Sequence, residues 1–284
     1  MSDKIVVQLG LHKTATTSLQ DFLLSNAAIL AREGTFYVPL QRMRGDITPL
    51  FWCAEKSRRA QLSRFIDGIE KPCLLLSDEN ILGTPSDIAH GGVYPYARTR
   101  IESFCGEHAE KQIVLLLTLR DPYRFLLSMY SEFLRHNEFI PFEHYIGGIS
   151  LAGFSYRKIF GWLKDLPGNV RTRIVPFEPA NGGGVVSIAR TLIEECSGPN
   201  SAIDPEKFPA EKSRSAYSKE ELELAAEIAS RADPRVTQFF LNLLDARDKR
   251  FGSNKFEPLD SGLVATLNAR YQKDLIWFRE TALA

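Results

Sequence analysis

The feature that most constrains the fold of this chain is a strand, loop and helix pattern near the start of the sequence. The apolar, β-branched run Ile5–Leu9 ends at Gly10. Apolar residues then recur at three- and four-residue spacing from Leu19 to Leu30, which is typical of an amphipathic helix. We therefore predict a buried strand, a tight loop and a helix, in that order.

The loop between this strand and this helix carries residue types that bind anions. Gly10 gives the chain a turn, Lys13 adds a cation, and His12 lies between them. Hydroxyl side chains follow at Thr14, Thr16, Thr17 and Ser18. The first N–H groups of a helix have no partner within the helix, and such an end binds phosphate readily. The segment therefore predicts a phosphate-binding loop, the alternative being an ordinary strand-to-helix turn.

The spacing in this loop separates it from one phosphate motif and relates it to another. The nucleotide-binding P-loop, G-x-x-x-x-G-K-[ST], is not matched, because no second glycine precedes Lys13. The stretch LGLHKTATTSLQ instead resembles the 5′-phosphosulfate loop of the sulfotransferases, whose usual form is G-x-x-K-[ST]-G-[ST]-[ST]. The resemblance implies that the 5′-phosphosulfate group of the sulfate donor is bound by Gly10, Lys13, Thr14, Ala15, Thr16, Thr17 and Ser18. Ala15 replaces the family's usual glycine, and a positive φ there would strain an alanine.

A second informative stretch follows Gln112–Leu119, a mostly apolar segment that predicts another buried strand. Asp121 is suited to cap the next helix, and Pro122 to begin it. Along that helix a narrow polar stripe lies opposite an apolar one. The polar stripe contains Arg124, Ser128, Ser131 and Arg135, and the apolar one Phe125, Met129 and Phe133. A solvated helix face would account for this stripe as well as a binding site would.

The same stretch resembles the 3′-phosphate motif of the sulfotransferases through Arg120, Asp121, Pro122, Arg124, Ser128 and Tyr130. In that family, the arginine at the strand end and the serine inside the helix bind the 3′-phosphate of the sulfate donor. The resemblance assigns these roles to Arg120 and Ser128, with Arg124 as a helper. Two motifs in the family's order, each at a strand-to-helix junction, are harder to obtain by chance than either alone.

Acidic residues after the apolar run Cys73–Leu76, a predicted parallel strand, are candidates for a catalytic base. In many sulfotransferases, a glutamate just past this second strand is thought to remove the acceptor's proton. The resemblance assigns that role to Glu79, with Asp78 next to it. His12 competes, because imidazole titrates near neutral pH. The alternative is that the two acids cap the following turn and that His12 packs locally.

Length, composition and the order of the patterns predict one α/β domain. The chain has 284 residues, of which 44% are hydrophobic and 25% charged, as in ordinary globular proteins. We predict a three-layer, mostly parallel sheet flanked by helices, as in the P-loop-like sulfotransferase fold. A single domain would span residues 1–284, with its sheet core at 4–200 and a helical C-terminal segment at 201–284. A later strand is predicted at Val170–Phe177, a loop at Arg42–Trp52, and C-terminal helices at Lys219–Arg231, Pro234–Asp248 and Leu259–Glu280.

Charge and cysteine placement argue against several classes of partner and cofactor. The formal net charge is zero, so we expect no nucleic-acid partner. The four cysteines show neither metal-ligand spacing nor a disulfide pattern, and we expect no metal. The sequence has no signal-peptide pattern, and no apolar run approaches the ~20 residues that span a bilayer. We therefore expect a cytoplasmic protein without a membrane span.

Together the two motifs imply a sulfotransferase that uses 3′-phosphoadenosine 5′-phosphosulfate as its donor and needs no metal. The acceptor would be a hydroxyl, or less often an amine, of a small molecule, a lipid or a carbohydrate. We expect its pocket to come from the loops Gln41–Lys56, Gly83–Tyr96 and Phe139–Phe154. Lys212 and Arg214 are weaker candidates for a C-terminal loop that closes over the donor, the alternative being a solvated charge cluster.

Two other functions are compatible with parts of the sequence. A small-molecule kinase would use Lys13 on ATP and Asp78 on magnesium. The missing second glycine and the complete motif from Arg120 to Tyr130 argue against it. A non-catalytic relative that binds nucleotide or protein is the other alternative, and intact Lys13, Arg120 and Ser128 argue against that.

Overall fold

Five parallel strands form the central sheet of the protein, whose computed structural model describes residues 2–178, 184–208, 216–246, 252 and 254–282. The strands are β1 (Lys4–Gly10), β2 (Thr35–Tyr37), β3 (Cys73–Ser77), β4 (Gln112–Arg120) and β5 (Val170–Phe177). Their order across the sheet is β2, β3, β1, β4, β5, and all neighbouring pairs are parallel. The predicted α/β class with a parallel sheet is therefore confirmed.

Helices surround this sheet and continue into the C-terminal part of the chain. Those that precede β4 are α1 (Thr16–Ser25), α2 (Ala27–Arg32), α3 (Leu40–Arg42), a π-helical turn (Met43–Ile47), α4 (Thr48–Trp52), α5 (Lys56–Asp67), α6 (Pro85–Ala89) and α7 (Ala97–Glu107). Those that follow it are α8 (Pro122–His136), α9 (Phe142–Tyr145), α10 (Tyr156–Phe160), α11 (Val185–Ser197), α12 (Lys219–Arg231), α13 (Pro234–Asp245) and α14 (Ser261–Ala282). The predicted helical C-terminal part is thus confirmed. In the described part of the chain, no helix is both long and apolar enough to cross a membrane.

Side chains alternate between the two faces of the sheet and build a separate hydrophobic core on each. Val6, Leu75 and Val114 lie side by side in the strand register and pack toward α1, α2 and α11. Their neighbours in sequence, such as Val7 and Leu115, pack into the larger core with α5, α7 and α8. Because both faces are covered by helices, the central strands are apolar at nearly every position. That double burial is why these strands read as continuous apolar runs in the sequence.

The predicted loop at Arg42–Trp52 is wrong, because this segment is helical almost throughout, from the end of α3 through the π-helical turn and α4. Gly45 and Pro49 interrupt any regular apolar spacing, so the sequence alone shows no helical period. Tertiary contacts order the segment instead. For example, Thr48 Oγ1 donates a hydrogen bond of 2.6 Å to the buried carboxylate of Asp78, just after β3.

The strand order directs attention to the carboxyl ends of β1 and β4. From β1 the chain continues to β2 on one side of the sheet, and from β4 it continues to β5 on the other. In open parallel sheets, ligands bind in the crevice where neighbouring strands lead in opposite directions. The loop after Gly10 and the side chain of Arg120 both lie at this edge. The fold therefore brings the two sequence motifs to the same end of adjacent strands.

Candidate anion-binding site

The loop after β1 has a left-handed backbone at two positions. Lys13 has a φ of 67° and Ala15 a φ of 58°. Ala15 immediately precedes α1, and it makes no side-chain hydrogen bond to the first N–H groups of that helix. Ala15 therefore occupies a conformation that glycine adopts more easily.

We expect Ala15→Gly to raise the free energy of unfolding by about 0.5–1 kcal/mol. A left-handed conformation costs a residue with a Cβ about 1–2 kcal/mol, and the greater freedom of glycine in the unfolded chain offsets roughly half of that gain. Urea unfolding of the two proteins measures the difference. As a control, Ala226→Gly in the middle of α12 should instead lower the stability by about 1 kcal/mol. A loss of stability in the Ala15 variant would contradict strain at this position.

Close packing requires a glycine at position 10. A Cβ on Gly10 would lie 2.4 Å from Gln8 Nε2 and 2.7 Å from Thr16 Cγ2. The Gln8 side chain is buried, and its Oε1 accepts a hydrogen bond of 2.9 Å from Ser77 Oγ, which ties β1 to β3. A larger residue at position 10 would therefore displace the buried Gln8 amide and the Thr16 methyl group.

The side chains of the loop have different surroundings. Lys13 is partly buried, and its Nζ donates to Glu132 Oε2 at 3.0 Å. Thr14 is buried, and its Oγ1 donates to the carbonyl of Leu11 at 2.8 Å, which stabilises the turn. Of the remaining hydroxyl residues, Thr16 is buried, Ser18 is partly buried and Thr17 is exposed. The loop thus presents a cation together with the start of a helix.

Arg120, the last residue of β4, connects the two motifs directly. Its Nη1 donates to the backbone carbonyl of Lys13 at 2.5 Å and to Ser128 Oγ at 3.2 Å. Its guanidinium also lies 5.7 Å from the centre of the Phe177 ring. The structure therefore brings together the lysine, the arginine and the serine that the sequence singled out. Asp121 caps α8 as predicted, because its Oδ1 accepts from the N–H of residue 124 at 2.8 Å.

The polar stripe on α8 is only partly a solvated face. Arg124 is exposed, whereas Ser131 and Arg135 are buried. Arg135 donates to Asp245 Oδ2 at 2.9 Å through Nε and to Glu132 Oε2 at 2.6 Å through Nη1. The far end of the stripe therefore links α8 to α13 in the C-terminal part of the chain.

Glu132 lies between two cations at this site. Burial by itself raises the pKa of Glu132, but the neighbouring charges of Lys13 and Arg135 outweigh it and lower that pKa from 4.5 to about 2. The carboxylate is therefore ionised at any pH at which the protein would work.

Asp78 serves the turn after β3. Its carboxylate is fully buried, with Oδ2 accepting from Thr48 Oγ1 at 2.6 Å and Oδ1 from the backbone N–H of Asn80 at 3.1 Å. Burial, together with the nearby charge of Glu79, raises the pKa of Asp78. The capping role considered for the acids after β3 is confirmed for Asp78.

Glu79 is held by side chains from two different elements. Its Oε1 accepts from Arg44 Nη2 at 2.9 Å, and its Oε2 accepts from Gln20 Nε2 at 3.4 Å. Gln20 belongs to α1, the helix that starts at the candidate loop, so the carboxylate lies on the loop's side of the sheet edge. Only a small part of Glu79 is exposed, and Arg44 is about half exposed and covers it.

His12 is bonded at both ring nitrogens. Its Nδ1 lies 2.8 Å from Tyr94 Oη, and its Nε2 lies 2.9 Å from Asn80 Oδ1. Burial raises the pKa of Tyr94 well above its ordinary value, so the phenol stays protonated and can donate to Nδ1. Asn80 Oδ1 can only accept, so hydrogen-bond geometry assigns a proton to Nε2, which donates it to Asn80. Tyr94 Oη also accepts the backbone N–H of His12 at 3.3 Å, which fixes the ring against the loop.

A cavity of about 310 Å³ lies between α4, α5 and α7, beside the residues that follow β3. Its aromatic lining consists of Phe51, Trp52, Tyr96 and Phe104. The guanidinium of Arg100 lies 5.3 Å from the Trp52 ring and 5.6 Å from the Tyr96 ring. Trp52 Nε1 donates to the carbonyl of Asn80 at 2.8 Å. The cavity wall is therefore bonded to the residue that also holds His12.

Of the three loops expected to form an acceptor pocket, Gln41–Lys56 lines this cavity through residues 50–54, and Gly83–Tyr96 contributes its last residue, Tyr96. The third, Phe139–Phe154, lines a separate cavity of about 460 Å³ against α12. Lys212 and Arg214, expected in a loop over the donor, lie outside the described residues.

Several side chains that hold the candidate residues were not predicted from the sequence, among them Glu132, Arg44 and Tyr94. Glu132 follows Ser128 by one helical turn, so its spacing could have placed it on the same face of α8. Arg44 belongs to the segment mistaken for a loop, and Tyr94 to a glycine- and proline-rich stretch without periodicity. Neither of these two carries a sequence pattern that would have identified it. Comparisons of the chain with protein-family models, with curated proteins and with solved structures found no match.

Proposed function

We propose that this chain is a sulfotransferase that moves a sulfuryl group from 3′-phosphoadenosine 5′-phosphosulfate to an acceptor hydroxyl or amine. The observation that carries this proposal is the double contact of Arg120 Nη1 with the Lys13 carbonyl and with Ser128 Oγ. Through it, two stretches that each resemble a phosphate site of that family meet at one sheet edge. A donor with phosphate groups on both sides of its ribose needs two such anion sites close together.

The reaction requires mainly that the acceptor and the donor are positioned in line and that the charge on the leaving phosphate is stabilised. The acceptor oxygen attacks sulfur in line with the bond to the 5′-phosphate, and negative charge builds on that phosphate as the bond breaks. In the proposal, Lys13 and the first N–H groups of α1 stabilise this charge, with the hydroxyls of residues 14 and 16–18 around them. Arg120 and Ser128 bind the 3′-phosphate, and Arg124, exposed one turn along α8, assists.

Glu79 and His12 are the candidate bases for the acceptor's proton. Glu79 is held beside α1, and each of its oxygens accepts one hydrogen bond, which leaves a second lone pair on each oxygen for a proton. To take a proton on Nδ1, His12 requires the Tyr94 hydroxyl, 2.8 Å away, to turn from donor to acceptor. Turnover of Glu79→Gln and His12→Ala at saturating donor separates them, because only loss of the base lowers the rate of the chemical step.

The kinase alternative is weakened by the surroundings of Asp78. A magnesium ion bound with ATP is held by carboxylate oxygens that face the nucleotide and its waters. Both oxygens of Asp78 are instead buried and accept hydrogen bonds from Thr48 and Asn80. The residue that would hold the metal is thus committed to the turn after β3.

The aromatic cavity beside Asn80 supports an apolar or aromatic acceptor. Its walls of Trp52, Tyr96 and Phe104 offer ring faces for stacking, and Trp52 is bonded to Asn80, which follows Glu79 in sequence and contacts His12. We propose that the body of the acceptor binds there, with its hydroxyl or amine directed toward the loop after β1.

We expect adenosine 3′,5′-bisphosphate (PAP) to bind the protein without magnesium, with a Kd on the order of micromolar. ATP with magnesium should bind at least about tenfold more weakly, because it lacks the 3′-phosphate and because Asp78, the acid that would hold the metal, is engaged in the turn after β3. Isothermal titration calorimetry of both ligands measures the difference.

Tighter binding of magnesium ATP than of PAP would favour the kinase and reject the proposal. A non-catalytic relative would bind PAP but transfer no label in a screen of phenols, sugars, lipids and amines with ³⁵S-labelled donor. Transfer to any of these classes would establish the activity and the acceptor class together.

A further inference from the structure

The lysine of the candidate loop already has an anionic partner within the protein. Lys13 Nζ lies 3.0 Å from Glu132 Oε2, and both side chains are about one-fifth exposed. Glu132 comes from α8, the same helix that supplies Ser128. An ionised carboxylate thus bonds to the ammonium group that the proposed mechanism assigns to the donor's 5′-phosphate.

We propose that Glu132 competes with the donor's 5′-phosphate for Lys13, holding the ammonium before the donor binds and giving it up when the phosphate arrives. The inference rests on the proposed function, and it adds a residue that positions the catalytic lysine. Glu132 itself contacts neither the sulfuryl group nor the acceptor in this scheme, so it is a positioning residue.

Repulsion between two anions drives the exchange. A carboxylate 3 Å from the ammonium would come close to any phosphate bound there, and like charges at such distances repel by several kcal/mol where water is partly excluded. If both anions stayed beside Lys13, their repulsion would therefore cancel much of the binding free energy that the phosphate gains from the lysine.

Glu132 already has a second cationic partner, Arg135. Its Oε2 also accepts from Arg135 Nη1 at 2.6 Å, and its Oε1 lies 3.4 Å from His136 Nε2. Arg135 is itself held by Asp245, which keeps its guanidinium in place whichever partner Glu132 takes. The carboxylate is therefore not left unpaired when Lys13 leaves it, so the exchange does not carry the free-energy penalty of an unpaired, partly buried charge.

The same competition acts on the product. After transfer, the 5′-phosphate of PAP carries more negative charge than it did in the donor, and it binds Lys13 more tightly. The Glu132 carboxylate lies close to the lysine, and it lowers the barrier to PAP release by replacing the 5′-phosphate as the partner of Lys13. Glu132 thus lowers the affinity for the donor and speeds the exchange of PAP for a new donor molecule.

The test is Glu132→Gln, measured with PAP as the probe. We expect PAP to bind about tenfold more tightly, equivalent to about 1.4 kcal/mol at 25 °C, and to dissociate correspondingly more slowly in stopped-flow displacement. Glu132→Asp, which keeps the negative charge, should bind PAP within about threefold of the unchanged protein. Glu102→Gln on α7, which removes an exposed carboxylate that pairs with Arg98, is the matched control and should leave PAP binding unchanged.

A purely structural role for Glu132 predicts another pattern. Loss of an orienting partner would weaken PAP binding in Glu132→Gln, and unchanged affinity would show that the carboxylate plays no part; either result overturns the inference. Thermal unfolding establishes that the variant is folded, and Glu132→Ala repeats the measurement if the glutamine variant is not. Failure of the unchanged protein to bind PAP would instead reject the proposed function, and the inference with it.

Discussion

Replacing Lys13 with alanine should lower turnover at saturating donor at least about a hundredfold. The ammonium is the candidate cation at the 5′-phosphate, where negative charge builds as the sulfuryl group leaves. Removing one such preorganised donor from an active site typically lowers transition-state stabilisation by about 3 kcal/mol or more. Transfer of ³⁵S from labelled donor to an acceptor found in the screen measures the effect, with donor concentration raised until the rate no longer increases.

The Lys13→Ala substitution removes the ammonium group without changing the backbone strain of the loop or leaving a charge unpaired. Lysine and alanine both carry a Cβ, so the strain at a φ of 67° is the same in both proteins. Glu132 loses its lysine but keeps Arg135, so no buried charge is left alone. Lys164→Ala, which removes an exposed lysine from the turn after α10, is the matched control. Near-normal turnover in the Lys13 variant would exclude the lysine from the chemistry.

The sequence predicted the sheet well because burial leaves a plain pattern. β1, β3 and β4 are covered on both faces, so each appears as a mostly apolar run, with Gln8 in β1 and Thr118 in β4 as buried polar exceptions. Asp121 and Pro122 mark the start of α8 because capping chemistry is local. The helical segment around Thr48 was missed because long-range contacts with the turn after β3 stabilise it, and a short segment broken by glycine and proline shows no period of its own.

The candidate site was predictable only where its chemistry is local in the sequence. Lys13 and Arg120 belong to short motifs, and their spacing identifies them without knowledge of the fold. The partners of those motif residues come from elsewhere in the chain. Tyr94 reaches His12 from 82 positions away, and Arg44 reaches Glu79 from 35. Such pairs follow from the order of strands in the sheet, which no local pattern records.

Arg120→Ala should weaken PAP binding about a hundredfold or more. The guanidinium has two tasks in the proposal: it binds the 3′-phosphate, and it holds the candidate loop through the carbonyl of Lys13. Truncating one partner of a buried, hydrogen-bonded charge pair typically costs 2–5 kcal/mol, which corresponds to about 30- to 5,000-fold in affinity. Calorimetric titration with PAP measures the loss, and Arg98→Ala, on the exposed face of α7, serves as the control.

Adenosine 5′-monophosphate separates the two tasks of Arg120, because it has the 5′-phosphate and lacks the 3′-phosphate. If Arg120 acted only by holding the loop, its loss would weaken both nucleotides by the same factor. Direct binding of the 3′-phosphate requires a larger loss of affinity for PAP, so the preference for PAP over the monophosphate should shrink at least about tenfold.

Ser128→Ala leaves the contact between Arg120 and the Lys13 carbonyl in place. It should reduce PAP affinity about tenfold, as loss of a hydrogen bond to a charged group does, without changing the affinity for the monophosphate. Equal losses for the two nucleotides in the Arg120 variant, together with no selective loss in the Ser128 variant, would show that the second motif supports the loop and binds no phosphate of its own.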